Sequence, residues 1–179
     1  MEMQRRSALA GLLAMGLSLR SVGLAQEPRR RRENAQNSAK SAAGMVATVQ
    51  PLATDVGVEV LQTGGNAVDA AIAAALTLGV VDGHNSGIGG GCFILIHTAD
   101  GRTFAIDGRE TAPAKATPGM FLKDGTPQPK WSQTGPLASG VPGALAAYQA
   151  ALETCGSRKL KDLIAPAARL AREGFAISP

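Results

Sequence analysis

An arginine flanked by two carboxylates is the most chemically suggestive feature of this 179-residue sequence. Arg109 lies in the string Asp107-Gly108-Arg109-Glu110, and a guanidinium group can bind a carboxylate through two parallel, charge-assisted hydrogen bonds. The residues alone favour a surface ion pair between Arg109 and Glu110 or Asp107. The alternative is that Arg109 binds the carboxylate of a ligand.

The glycine-rich segment 82–91, with the sequence DGHNSGIGGG, is a second candidate for ligand binding. A phosphate-binding loop follows a strand and opens a helix, whose N-terminal N–H groups hold the anion. Here the glycines follow a predicted helix and precede a predicted strand, and no Lys-Ser/Thr pair comes after them. The pattern favours a structural role in which Gly89, Gly90 and Gly91 allow close backbone approach or positive φ. A loop that offers N–H groups to a substrate is the alternative.

The two histidines do not indicate a metal site. His84 and His97 have no cysteine, histidine or carboxylate partner at the spacing of metal ligands, so the sequence predicts neither a metal site nor a cofactor. Asn85 and Ser86 adjoin the glycine-rich segment and have at most a supporting role there.

Two cysteines are the remaining reactive side chains. Cys92 begins a predicted strand and Cys155 lies near the end of a predicted helix. An exported protein could join them in a disulfide, but two unreactive thiols are the favoured interpretation.

The positive charge of the chain is confined to its N-terminal part. The formal net charge of +4 divides into +5 for residues 1–44 and −1 for residues 45–179. A nucleic-acid-binding domain carries its cations on the folded surface. The charge distribution therefore predicts no nucleic-acid partner.

The N-terminal residues have the pattern of an export signal. Arg5 and Arg6 precede a mostly apolar stretch, residues 8–19, and Gly23-Leu24-Ala25 offers a small-residue cleavage site. The apolar stretch is too short to span a bilayer stably. We therefore predict a signal peptide over residues 1–25, a basic flexible linker over residues 26–43 and a periplasmic or extracellular protein. The two arginines leave the general and the twin-arginine export routes open.

The residues that follow predict a mixed α/β chain. Asn66 is a typical N-cap, and Asp69 three residues later suits the first turn of a helix. Asp100-Gly101 between two β-rich segments is a strong hairpin signal. The predicted elements are a strand at 45–49, helices at 52–62 and 70–81, strands at 92–98 and 102–107, and helices at 143–154 and 160–173, the last with Leu163, Ala167, Leu170 and Ala171 facing inward.

Several strings in this order resemble the start of the large subunit of gamma-glutamyltranspeptidase, also called glutathione hydrolase. They are GGNAVDAAIAAAL (64–76), SGIGGGCF (86–93), AIDGRETAPAKAT (105–117) and ASGVPG (138–143), within a resemblance that runs over residues 44–179. The departures are Gly83, where relatives often carry proline, and Cys92, where many have another glycine.

The resemblance implies an exported proenzyme with the N-terminal nucleophile hydrolase fold, an αββα sandwich of which residues 44–179 form the N-terminal portion. It implies a γ-glutamyl substrate such as glutathione, with Arg109 binding the α-carboxylate of the γ-glutamyl group. The family's threonine nucleophile lies in the small subunit, so this chain would be inactive without the rest of the large subunit and the small subunit. The alternatives are a related acylase, a poly-γ-glutamate processing enzyme, or an exported non-catalytic binding protein.

Overall fold

The structure, a computed structural model, describes residues 39–177. The predicted signal peptide over residues 1–25 and the first part of the predicted linker, up to residue 38, lie outside the described residues. Residues 39–43, the end of that linker, are exposed and form no helix or strand. The elements below belong to one compact unit, Lys40–Pro179.

Helices and short strands are arranged in the order that the sequence predicts for most of the chain. The elements are α1 (Pro51–Gln62), α2 (Ala67–Val81), β1 (Cys92–His97), β2 (Thr103–Gly108), β3 (Leu122–Lys123), β4 (Thr126–Pro127), α3 (Ala144–Cys155), α4 (Leu160–Leu163) and α5 (Ala165–Glu173), with 3₁₀ helices at Pro129–Ser132 and Pro136–Ala138. The fold class is therefore mixed helix and sheet, as predicted.

The two N-terminal helices begin and end at the residues that local signals indicate. Pro51 is at the start of α1, and the side chain of Gln50 accepts a hydrogen bond from the Leu52 N–H at 3.0 Å. Gly64 has a φ of +87°, which is the left-handed conformation that ends a helix. Asn66 then caps α2 in a reciprocal capping box with Asp69, so this prediction is confirmed.

Asp69 also joins α2 to a distant part of the chain. Its carboxylate is fully buried and accepts hydrogen bonds from the N–H groups of Asn66 at 2.8 Å, Ser157 at 3.0 Å and Arg158 at 3.1 Å. The Ser157 hydroxyl donates a further hydrogen bond. The Asn66 side-chain amide donates to the Cys155 carbonyl oxygen at 2.7 Å. The start of α2 is thus fixed to the turn between α3 and α4.

The core is built around α2, which contacts α1, α3, α4 and α5. Six of its fifteen residues are alanine, so the neighbouring helices can approach closely. The buried apolar residues of the core are Val56, Val60, Ala70, Ile72, Ala73, Leu76, Ile96, Ala144, Tyr148, Ala151, Leu152, Leu163 and Ala167.

None of the helices formed by residues 39–177 has both the length and the apolar character needed to cross a bilayer.

The predicted hairpin is confirmed. Strands β1 and β2 are antiparallel in a register that pairs Cys92 with Gly108 and His97 with Thr103, and Gly101 in the turn has a φ of +84°. One face of the hairpin packs on α3. The opposite face is open, with Phe93 and Leu95 70% and 76% exposed.

Two predicted elements differ from the structure. Residues 45–49 form no strand, because within residues 39–177 no backbone pairs with them. The predicted helix at 160–173 is divided at Ile164 into α4 and α5, since Pro166 has no N–H to donate to the carbonyl four residues earlier. Leu163 and Ala167 face inward as predicted and Leu170 is half-buried, but Ala171 is exposed and that part of the prediction is wrong.

Candidate functional site

Arg109 lies immediately after the last residue of β2. Its backbone N–H donates a hydrogen bond to Asp107 Oδ1 at 3.0 Å, which fixes the backbone as the chain leaves the strand. Its side chain is exposed, and within residues 39–177 the guanidinium group forms no ion pair with Asp107 or Glu110. The surface pairing that the residues alone favour is therefore not what the structure contains. The guanidinium group is available to an external carboxylate.

Glycines from two other segments surround the Arg109 backbone. A Cβ atom added to Gly91 would lie 2.9 Å from the Arg109 Cα and 2.6 Å from the Gly108 carbonyl oxygen. One added to Gly143 would lie 2.8 Å from the Arg109 carbonyl oxygen and 2.3 Å from that of Gly108. Because separations below 3.0 Å are not tolerated, these positions require glycine. The absence of side chains fixes how closely the three segments approach.

Hydrogen bonds complete this junction at the start of α3. The N–H groups of Gly143 and Ala144 both donate to the Gly90 carbonyl oxygen, each at 3.1 Å. Thr111 and Val141 exchange backbone hydrogen bonds of 3.2 and 2.8 Å in an isolated antiparallel bridge. The glycine-rich segment, the turn after β2 and the start of α3 therefore meet at Arg109.

The prediction for the glycine-rich segment is confirmed in part. Gly90 and Gly91 lie in close contact with the chain after β2, whereas nothing lies within 4 Å of a Cβ added to Gly89. None of the three has a positive φ, so of the two predicted alternatives close backbone approach is the one that the structure shows, at Gly91. Sequence reasoning did not find the role of Gly143; the string ASGVPG was noted only as part of the family resemblance.

The carboxylate of Glu110 lies over the glycine-rich segment. Its oxygens are 3.1 Å and 2.8 Å from the positions that Cβ atoms of Gly90 and Gly91 would take. Glu110 lines two open cavities of about 560 and about 440 Å³, and Arg109 lines neither of them. Within the described residues its carboxylate has no ion-pair partner. The site therefore holds a free cation and a free anion on adjacent residues.

Cys92 and Tyr148 form the inner wall of the larger cavity. Burial, and secondarily the negative charge of Glu110, raises the pKa of the Cys92 thiol. Burial, with a smaller contribution from Cys92, also raises the pKa of the Tyr148 hydroxyl. Both groups are therefore neutral in the physiological pH range, and neither is an activated nucleophile.

The other candidate residues lie at separate positions. His84 Nδ1 is 3.4 Å from Asp82 Oδ1, and the Ser86 hydroxyl donates to Asp82 Oδ2 at 3.4 Å. His97 Nδ1 is 3.0 Å from Thr103 Oγ1 near the hairpin turn. In the part of the chain that the structure describes, no three metal-ligating side chains form a group. Asn85 lines the larger cavity with His84 and Ser86, and the thiols of Cys92 and Cys155 are free.

Comparisons with known proteins define the family. The family model described as Gamma-glutamyltranspeptidase matches residues 53–179. The glutathione hydrolase proenzyme of Escherichia coli strain K12 is 50% identical over 136 residues, which cover 75% of this chain and 23% of that protein. This chain belongs to the gamma-glutamyltranspeptidase family, as the sequence resemblance predicts.

Solved structures agree with this assignment. The crystal structure of Helicobacter pylori gamma-glutamyltranspeptidase superposes with a TM-score of 0.75 at 46% identity, covering 79% of this chain and 41% of that chain. The Pseudomonas nitroreducens enzyme complexed with L-DON gives a TM-score of 0.72 at 37% identity, covering 78% and 42%. The predicted fold class, part of an N-terminal nucleophile hydrolase sandwich, is confirmed. The chain spans about a quarter of the length of the E. coli relative.

Proposed function

We propose that this chain is part of an enzyme that hydrolyses or transfers the γ-glutamyl group of glutathione and related amides. In this proposal the chain supplies part of the core and binds the substrate α-carboxylate through Arg109. The nucleophile comes from outside the chain. The support is the 50% identity to a glutathione hydrolase proenzyme, together with an arginine held at the meeting point of three segments.

The free guanidinium group of Arg109 is the observation that carries the binding role. An arginine already paired with Glu110 would have to break that pair before it could bind a substrate. Here the backbone of Arg109 is fixed by Gly91 and Gly143, while its side chain remains exposed and unpaired among the described residues. Such preorganisation lowers the cost of binding a carboxylate.

The partners in this proposal are the rest of the large subunit and the small subunit of the proenzyme. The open hairpin face with Phe93 and Leu95 supports this, because exposed apolar patches of this kind mark interaction surfaces. No nucleic-acid partner is expected, since residues 45–179 have a net charge of −1.

Export to the periplasm or the cell exterior is part of the same proposal. It rests on the leader pattern in residues 1–25, and cleavage is expected near Ala25. Mass spectrometry of the exported protein would locate the new N-terminus. Exported protein that still begins at Met1 would contradict the proposal.

The binding role is tested by substitutions of Arg109 in the complete enzyme that contains this chain. Arg109→Lys keeps the charge and loses the planar fork, whereas Arg109→Met loses both. Removal of one partner of such a charge pair typically costs about 2–5 kcal/mol, so kcat/KM for a γ-glutamyl anilide should fall, and most for Arg109→Met. Arg102→Met is the matched control, because Arg102 pairs with Asp100 at the hairpin turn.

A decarboxylated substrate analogue separates binding from folding. If Arg109 binds the α-carboxylate, the parent and Arg109→Met should process the analogue equally slowly, and their melting temperatures should match. A general structural role would instead lower the melting temperature and the rates with both substrates. Parental kcat/KM for the γ-glutamyl anilide in Arg109→Met would contradict the assignment.

A further inference from the structure

The cross-strand partner of the residue before Arg109 is Cys92. In the register of the hairpin, Cys92 at the start of β1 faces Gly108 at the end of β2. A Cβ atom added to Gly108 would lie 3.2 Å from Cys92 Sγ and 2.5 Å from the Ala147 Cβ. The Cys92 side chain and α3 therefore occupy the space that a side chain at position 108 would need.

Helix α3 encloses Gly108 and Cys92 from the other side. Gly108 is buried, and Cys92 packs against the core cluster that includes Ala144 and Tyr148. The start of α3 also contacts the carbonyl oxygen of Gly108 through Gly143. The thiol thus lies between the end of β2 and one face of α3, and on its remaining side it borders the larger cavity.

We propose that Cys92 is a positioning residue for Arg109, setting through its volume how far the end of β2 lies from α3. This inference rests on the proposed function of Arg109. Cys92 Sγ already lies 3.2 Å from the position of a Gly108 Cβ atom, so atoms added to residue 92 on the side away from the cavity displace either α3 or Gly108. Because Arg109 follows Gly108 directly, displacement of Gly108 moves the guanidinium group away from the substrate α-carboxylate.

Two substitutions test the volume at position 92 in the complete enzyme. Cys92→Ser nearly preserves the volume, and Cys92→Val adds a branched methyl group that a strand accommodates well. The readout is the ratio of kcat/KM for a γ-glutamyl anilide to that for its decarboxylated analogue. A misplacement of about 1 Å can cost about 100-fold, so we expect Cys92→Val to lower this ratio by about tenfold, mainly through KM. Cys92→Ser should retain the parental ratio, and Cys155→Ser is the control.

A double-mutant cycle distinguishes positioning from a general loss of packing. In an Arg109→Met background, Cys92→Val should cause no further fall in the ratio, because the group that it displaces is already absent. If Arg109→Met lowers the ratio and Cys92→Val leaves it unchanged, the inference is wrong while the function of Arg109 stands. If Arg109→Met itself leaves the ratio unchanged, the function proposed for Arg109 fails and the inference fails with it.

Modification of the folded enzyme avoids the risk that Cys92→Val does not fold. Methyl methanethiosulfonate transfers its methylthio group to a thiol, which forms a mixed disulfide and releases methanesulfinate. After modification, the ratio of kcat/KM for the two substrates should fall in the parent. The ratio for Cys92→Ser treated in the same way should not change. Mass spectrometry verifies that Cys92 is modified, and full modification with the parental ratio would overturn the inference.

Discussion

Two junctions bring distant parts of this chain together by opposite means. At the Asp69 junction, formed by Asn66, Asp69, Ser157 and Arg158, a buried carboxylate accepts four hydrogen bonds from the start of α2 and the turn after α3. At the Arg109 junction, formed by Gly91, Gly108, Arg109 and Gly143, the segments meet because side chains are absent.

The two junctions differ in whether their charged group is left available to a ligand. The Asp69 junction satisfies its charge internally, so its carboxylate is not available for chemistry. The Arg109 junction fixes a backbone and leaves the guanidinium group free. We expect the first junction to contribute mainly to folding and the second mainly to substrate binding.

The largest effect should come from breaking the Asp69 junction. In Asp69→Ala the N–H groups of Asn66, Ser157 and Arg158, whose hydrogen bonds are partly buried, lose their acceptor. An unsatisfied donor costs about 1–3 kcal/mol when it is buried. We expect the free energy of unfolding to fall by about 3 kcal/mol or more, as measured by urea denaturation. Asp55→Ala, at an exposed position of α1, is the control and should change this free energy by less than about 0.5 kcal/mol. Equal effects of the two variants would contradict the role of the junction.

The next largest effect should come from adding one methyl group to the Arg109 junction. Gly143→Ala places a Cβ atom 2.3 Å from the Gly108 carbonyl oxygen, and overpacking of this kind typically costs about 1–3 kcal/mol. Gly89→Ala is the matched control, since nothing lies within 4 Å of its Cβ position. In urea denaturation, the free energy of unfolding of Gly143→Ala should be well below that of Gly89→Ala. Gly143→Ala should also raise KM for the γ-glutamyl anilide. If the variant keeps the stability and the KM of the parent, position 143 does not lie as close to the Gly108 carbonyl oxygen as described.

The two junctions also differ in how much of each could be predicted from sequence. Asn66 and Asp69 lie within four residues of each other, so the N-cap and the first-turn carboxylate form a local pattern that the sequence predicts, whereas their reciprocal capping box is seen in the structure. The hydrogen bonds from Ser157 to Asp69 cross 88 positions, and no local pattern indicates them. The glycines of the Arg109 junction were noticed as motifs, but the contacts that require them depend on packing between segments.

The two incorrect elements have separate physical reasons. Residues 45–49 have the β-branched and apolar composition of a strand, yet a strand exists only where a partner backbone pairs with it. At 160–173 the apolar periodicity predicts one continuous helix, but Pro166 interrupts its backbone hydrogen bonds. Arg109 itself was located by family resemblance, because its neighbours alone favoured a surface ion pair.

A smaller effect is expected from removing the Arg158 side chain, which joins the Asp69 junction to the end of α1. The Arg158 guanidinium donates to the Thr63 carbonyl oxygen at 2.6 Å and to the Thr63 hydroxyl at 2.9 Å, which fixes the end of α1. Arg158→Ala keeps the backbone bond to Asp69 and should lower the free energy of unfolding by about 1 kcal/mol. Lys161→Ala, on the exposed side of α4, should have no measurable effect in the same urea experiment. A loss as large as that of Asp69→Ala would mean that the guanidinium group, rather than the carboxylate, stabilises the junction.

Acid should weaken the Asp69 junction and leave the Arg109 junction unchanged. Above pH 4 this change in stability with pH is the smallest of the effects predicted here. Burial raises the pKa of Asp69, but hydrogen bonds from the Ser157 hydroxyl and from three backbone N–H groups outweigh it and hold the pKa below its ordinary value of 3.8. The stabilisation is therefore complete above the unfolded-state pKa and is lost as the pH falls through the folded-state pKa. Between about pH 6 and about pH 3, the difference in unfolding free energy between the parent and Asp69→Asn should shrink. The difference between the parent and Gly143→Ala should stay constant, because no titrating group contributes to that clash.

Other carboxylates, including Asp100, are present in the parent and in each variant, so their contributions to the unfolding free energy cancel in these differences. A parent-to-Asp69→Asn difference that stays constant down to about pH 3 would show that ionisation of Asp69 does not stabilise the junction.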